Sequence, residues 1–179
     1  MKLKVLSMED CEQVRLWRNE TMYALRTAYP KTKEQQEEFY LQVVCDANAR
    51  SWYRGVFIEI NNDGDTEDLL IGMVGLENIE WTNHRAEISI MIQPEYRAAG
   101  YGEQTLEELL KWGFNEVGLE NIYGECYYSN MAVDFWRNMI QKYDGYQSVL
   151  ESTKFYNGTY WDSAWFNFNR GRWMACRKS

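Results

Sequence analysis

The residues Arg97-Ala98-Ala99-Gly100-Tyr101-Gly102 combine what an anion site needs. They follow an alternating apolar run, Arg85 to Ile92, and lead into a helical pattern beginning at Glu103. Gly100 and Gly102 lack the Cβ atoms that would hold a ligand off the backbone, so unpaired amides of a first helical turn can point at phosphate oxygens. The helix dipole adds roughly +0.5 charge there. A diphosphate uses such a cradle more fully than a single carboxylate does. No Lys-Ser/Thr pair follows the glycines, which sets aside a P-loop, and the first glycine of a dinucleotide fingerprint is missing. The plainer alternative is a glycine-bearing strand-to-helix turn that binds nothing.

The run before the turn carries a second chemical feature. Ala86, Ile88, Ile90 and Ile92 face one way and Glu87, Ser89 and Met91 the other, so a carboxylate lies on a polar strand face that would border a ligand. Glu77 ends the preceding strand, and Glu125 lies on the next one. His84 is the single histidine, which argues against a histidine metal centre and leaves a Ser/Cys-His triad dependent on one loop residue. Cys11, Cys45, Cys126 and Cys176 are dispersed with no CxxC spacing and read as reduced packing residues. The net charge of −8 opposes nucleic-acid binding and suits a cationic substrate. Charges beyond about 8 Å are screened at physiological salt, so local amides and Arg97 can still attract an anion. The basic cluster Arg170 to Lys178 reads as a solvated tail.

The elements that must position these groups follow from periodicity. Lys2 to Leu6 reads as a strand; Ser7 with Asp10 resembles a capping pair before a helix through Asn19. Thr32 with Gln35 forms a second capping box before a helix to about Asn48. Trp52–Ile60 and Leu69–Glu80 form a hairpin around the turn 61–65. Leu106, Leu109, Leu110, Phe114 and Val117 make an amphipathic helix, and Asn121 to Tyr128 a strand. Ala132, Phe135, Trp136, Met139, Ile140 and Tyr143 repeat the helical period, with Ser129 or Asn130 as N-cap. Two aromatic strands then flank Asn157-Gly158, a strong hairpin signal.

At 179 residues and 45% hydrophobic, the chain fits one globular domain, 1–179. No apolar run approaches the roughly 20 residues that span a bilayer, and the N-terminus lacks the pattern of a signal peptide. No membrane partner and a cytoplasmic location are expected.

The pattern Arg/Gln-x-x-Gly-x-Gly/Ala at Arg97 to Gly102 resembles the acetyl-CoA pyrophosphate loop of the Gcn5-related N-acetyltransferases. The order strand, two helices, three strands, helix, strand, helix, two strands is similar to that fold end to end. It implies an α/β (α+β) domain, a mixed twisted sheet of about seven strands flanked by about four helices. Val14-Arg15-Leu16-Trp17-Arg18-Asn19 and the loop 26–30 look like the branch containing ribosomal-protein and aminoglycoside N-acetyltransferases.

The resemblance implies acetyl-CoA as acyl donor, no metal, and a primary-amine acceptor, either a small molecule or a protein amine, attacked directly in a ternary complex. Neither a nucleic acid nor a membrane is implied as partner. In that family the fourth and fifth strands splay, and the pantetheine pairs with the fourth strand, here Ile90, Met91 and Ile92, with an amide near Ile90 polarising the thioester. Pyrophosphate contacts carry over to Arg97, Ala99, Gly100, Tyr101, Gly102 and Glu103, mostly through amides. Neutralising a lysine-like amine at pH 7 costs about 4.6 kcal/mol, so a base is useful. Glu87 is the first choice; its alternative is a structural carboxylate paired with an arginine such as Arg85.

The family's Asn-x-x-Ala-x-x-x-Tyr places Ser129 at the asparagine and Trp136 at the tyrosine, and an indole cannot serve as general acid. Asn130 could reach the pantetheine instead, and Tyr127, Tyr128 or water could donate the proton. Phe135 and Trp136 either pack on the cofactor or belong to the core. The loop 26–33 and the aromatics Tyr156, Tyr160, Trp161 and Trp165 would select substrate or form a homodimer surface. His84 either lines the acceptor side or is simply exposed. The competing class is a catalytically silent CoA-binding or protein-interaction domain of the same fold.

Overall fold

The computed structural model describes residues 1–27, 29–62 and 65–177. Asp63 and Gly64 of the expected turn, Ala28 of the loop and Lys178 of the basic cluster lie outside the described residues. The elements are β1 (Lys2–Lys4), α1 (Met8–Glu20), α2 (Lys33–Phe39), β2 (Trp52–Asn62), β3 (Asp65–Glu80) and β4 (Arg85–Ile92). There follow α3 (Tyr101–Asn115), β5 (Asn121–Tyr127), α4 (Val133–Lys142), β6 (Tyr146–Tyr156), β7 (Thr159–Asn169) and α5 (Arg170–Cys176).

The strands form one seven-stranded sheet in the order β1-β2-β3-β4-β5-β7-β6. All neighbours are antiparallel except β4 and β5, which run parallel because α3 carries the chain back across the sheet. Strand alternation then divides the side chains between two faces. Val74, Leu76, Ala86 and Ile88 meet Leu106, Leu109, Leu110 and Phe114 of α3 in the larger core. On the other face Tyr53 and Met73 pack against Cys11, Val14 and Trp17 of α1. That second face is only partly apolar, and its polar remainder includes Glu77 and Glu87.

Both expected capping boxes are present. Ser7 Oγ accepts from Asp10 N at 3.1 Å while Asp10 accepts from Ser7 N at 2.8 Å, and Thr32 and Gln35 exchange the same pair of bonds. The second helix continues from α2 only through a wider π-helical turn to Val44, short of Asn48, because the Asp46 carboxylate accepts from Asn48 N at 2.9 Å and turns the chain. The Asn157-Gly158 hairpin has the left-handed φ values of 51° and 78° that its turn demands.

The C-terminal segment departs from the solvated tail expected of it. It forms α5, capped by Asn169, and Trp173 is buried against Phe114 with ring centroids 5.4 Å apart. Arg170, Arg172 and Arg177 pair with Glu120, Asp144 and Glu107. Two turns of helix are too short for periodicity to announce, so the described residues flank the sheet with five α-helices.

Candidate active site

β4 and β5 are in register only at Arg85–Asn121, Ala86–Ile122 and Glu87–Tyr123. Beyond Glu87, β4 follows β3 to Ile92, while β5 follows β7 to Tyr127. The two strands therefore fork, and the β5-facing backbone edge of residues 88–92 has no strand partner among the described residues. Such an edge offers N–H and C=O groups to an extended ligand. One of them is engaged: the Ile92 carbonyl accepts from Arg97 Nε at 2.9 Å, which ties the guanidinium beside the glycine turn.

The open end of the fork leads to the start of α3, which begins at Tyr101, two residues before the expected Glu103. Gly100 takes the N-cap position at φ 82°, a left-handed conformation that favours glycine, and no side chain caps the helix. The first intrahelical bond is Gln104 N to Gly100 O at 3.1 Å, so the amides of Tyr101, Gly102 and Glu103 have no acceptor within the helix. Ala98 is also left-handed, at φ 58°, and the alternation bends the backbone into a concave, amide-lined turn. Phe135 of α4 closes one side: a Cβ on Gly102 would lie 3.3 Å from its ring. Glu103 would repel an anion here, but Lys142 Nζ stands 2.7 Å from its carboxylate and partly neutralises it. Residues that would hold a diphosphate are thus present with the chemistry to do so.

On the α1/α2 face of the sheet, Glu77 of β3 lies directly opposite Glu87 of β4. Like charges in that relation destabilise a sheet, so each is compensated. Tyr53 donates its hydroxyl to Glu77 at 2.6 Å. Glu87, whose side chain is 10% exposed, accepts from Asn78 Nδ2 at 3.2 Å and from both terminal nitrogens of Arg26. Asn78 reaches it because β3 bulges between Glu77 and Glu80, putting Asn78 at φ 52°. Glu125 of β5 joins from across the fork, 3.5 Å from Arg26, while accepting from Ser163 Oγ at 2.6 Å.

Glu87 is therefore ion-paired, but to Arg26 rather than to Arg85, which pairs with Glu80 at 2.8 Å. The Glu87 carboxylate pushes the Arg26 guanidinium up from its ordinary pKa. Burial raises the Tyr53 and Tyr127 phenols, with Glu77 adding to the first and Glu125 to the second. Both stay protonated near neutrality.

Arg26 is held over the fork by its backbone neighbours. Lys154 Nζ donates to the carbonyls of Tyr23, at 2.8 Å, and Leu25. Ser129 Oγ and Asn130 Nδ2 donate to the carbonyls of Tyr23 and Ala24, each at 3.4 Å. Asn130 also accepts from Ala132 N at 2.9 Å at the start of α4, so both ends of this amide are engaged within the protein.

The remaining expected residues are dispersed. Trp136 is buried and stacked on Phe166 with centroids 4.4 Å apart, and so belongs to the core. Tyr128 is partly exposed just past β5, its amide bonded to Asp162 O at 3.0 Å. Tyr160 is exposed and Trp165 stacks on Tyr123. His84 is an exposed left-handed turn residue, its ring nitrogen 3.2 Å from Gly118 O, where it braces the α3–β5 connection. Sequence reasoning missed Tyr53, Asn78 and Lys154. Only the bulge beside Glu77 and the meeting of β6 with the 23–25 loop make them part of the site, and neither leaves a local signal.

The fork, the uncapped helix start and the carboxylate floor agree with the family match. An acetyltransferase (GNAT) domain model matches residues 1–134, and the chain belongs to that family. Among curated proteins it is similar to the uncharacterized N-acetyltransferase YoaA of Bacillus subtilis (strain 168), 28% identical over 99 residues, which span 55% of this chain and 54% of that protein. The match thus spans about half the length of the curated relative. Its fold is that of spermidine N-acetyltransferases from Vibrio cholerae. One, in complex with CoA and spermine, superposes with a TM-score of 0.80 at 20% identity over 97% of both chains. A variant form of the enzyme gives 0.79 at 21% over 100% of each.

Proposed function

We propose that this chain transfers an acetyl group from acetyl-CoA to a primary amine by direct attack in a ternary complex. The observation that carries the proposal is the fork, paired over Arg85–Glu87 alone and opening toward the uncapped first turn of α3. Acetyl-CoA, when bound, supplies the activated thioester. The amides of Tyr101, Gly102 and Glu103, with Arg97 and the Ala99-Gly100 turn, hold its diphosphate; the free edge at Ile90, Met91 and Ile92 orients the pantetheine. An amide near Ile90 polarises the thioester carbonyl. Phe135 packs beside the cradle.

The acceptor arrives from the α1/α2 face. Its ammonium replaces Arg26 beside Glu87, which takes one proton; the neutral amine then forms the N–C bond as the C–S bond breaks, and the second proton that the nitrogen sheds leaves to water. Holding both reactants together supplies a large part of the rate, about 7 to 11 kcal/mol in favourable cases. Tyr128, or Tyr127 on the facing side of β5, returns a proton to the thiolate. Transfer in the cytoplasm and a homodimer through the free β6 edge, where Val149 and Phe155 are exposed, complete the proposal.

The experiment is thiol release from acetyl-CoA across an amine panel, with Glu87→Gln alongside. The expected result is turnover lowered at least tenfold with acetyl-CoA affinity unchanged. Equal turnover for both proteins from pH 6 to 9 removes Glu87 from the mechanism. A second reading, a silent CoA-binding domain, is favoured by one observation: Arg26 occupies both oxygens of Glu87. Saturable acetyl-CoA binding with no release for any amine selects it.

A further inference from the structure

A cavity of about 240 Å³ lies between the α1/α2 layer and the sheet, reaching Glu77, the strand neighbour of Glu87. Its sheet wall carries Glu77 and Tyr53; the opposite wall carries Arg18 of α1, Lys31 just before α2, and Gln35 and Gln36 of α2. The two walls thus differ in sign. Arg15, one turn before Arg18, pairs with Glu12, and Arg26 pairs with Glu87. Arg18 and Lys31 are in no ion pair among the described residues.

The backbone of Lys31 is firmly placed. Its amide donates to Asn19 Oδ1 at 2.8 Å, and its carbonyl accepts from Arg15 Nη1 and Asn19 Nδ2, each at 2.9 Å. Two partly buried cations that line one cavity and stand in no ion pair among the described residues can each take an anionic ligand through charge-assisted hydrogen bonds. By volume the cavity holds about eight water-sized groups, enough for a small amine with one further functional group.

We propose that the amine acceptor carries an anionic group, a carboxylate or a phosphate, that docks on Arg18 and Lys31 while its ammonium faces Glu77 and Glu87. This rests on the acetyl-transfer reading and deepens it by naming the substrate class. A purely cationic polyamine would press its additional charge against Arg18 and Lys31. The acceptor class therefore differs from the spermidine and spermine named for the structural neighbours.

The test uses amines matched except for the anion: lysine against cadaverine, and glucosamine 6-phosphate against glucosamine. Each is titrated calorimetrically into the protein without acetyl-CoA and then assayed for thiol release. In at least one pair the anionic member is expected to bind more tightly and show the lower KM; which pair does so identifies carboxylate or phosphate. Arg18→Met and Lys31→Met are expected to weaken that member about 10- to 100-fold and to leave the counterpart that lacks the anion unchanged. Thermal melts of both variants confirm folding.

Equal binding within both pairs, preference for cadaverine and glucosamine, or equal loss for both members in the variants overturns the proposal. Arg18-dependent binding of the anionic amine without thiol release supports the subsite and overturns acetyl transfer instead.

Discussion

Gly100→Ala separates the cradle from the rest of the fold. Gly100 sits at φ 82°, and a Cβ built there meets only Gln104 Nε2, at 3.8 Å, so the substitution introduces backbone strain without a clash. An L-residue in the left-handed region costs about 1 to 2 kcal/mol. If the loop holds its shape, the whole cost falls on stability, roughly 2 to 8 °C in Tm for a chain of this size. If it relaxes instead, the amides after Gly100 turn away, and loss of one charge-assisted bond to phosphate weakens acetyl-CoA about 10- to 100-fold.

Gly118 provides the control. It has φ 78° and nothing within 4 Å of a Cβ, but lies in the α3–β5 connection at the far end of α3. Gly118→Ala is expected to cost similar stability and to leave acetyl-CoA binding unchanged. Urea unfolding and isothermal calorimetry on both variants, with and without acetyl-CoA, measure the two terms. Equal acetyl-CoA affinity in Gly100→Ala, Gly118→Ala and the parent, with Tm lowered in both variants, would show that the uncapped start of α3 is not the diphosphate site.

Two further outcomes are expected. Lys154→Met releases the carbonyls of Tyr23 and Leu25, so tryptic cleavage after Arg26 should accelerate several-fold with little change in Tm; an unchanged cleavage rate means the loop is held by other bonds. Burial raises the Cys11 and Cys126 thiols from 9.0 to about 12. Between those values the native state binds more protons than the unfolded chain, so stability should fall as pH rises above 9, and less steeply in Cys126→Ala than in the parent. At pH 8 a thiol reagent should react readily with exposed Cys45 and reach Cys11 and Cys126 only on unfolding.

Much of the site is legible before folding because its cradle is local. Arg97 to Gly102 brings its own glycines and its own helix start within a few residues, and the β4 alternation announces Glu87 on a polar face. The capping boxes at Ser7 and Thr32 are equally local. Errors appear where the partner is distant. Arg85 is near Glu87 in sequence, yet the β3 bulge and the latched 23–27 loop deliver Asn78 and Arg26 instead. Trp173 looked like part of a charged tail because the Phe114 ring that buries it lies on another helix.

The sequence by itself determines the order of elements up to the last strand and the glycine turn, since each depends on neighbours a few residues apart. Tertiary structure alone decides that β4 and β5 part after Glu87, that Glu87 and Glu125 share Arg26, and that Arg18 and Lys31 line one cavity with Glu77. Those relations come from strand register and layer packing, in which a shift of one residue would turn each carboxylate to the opposite face.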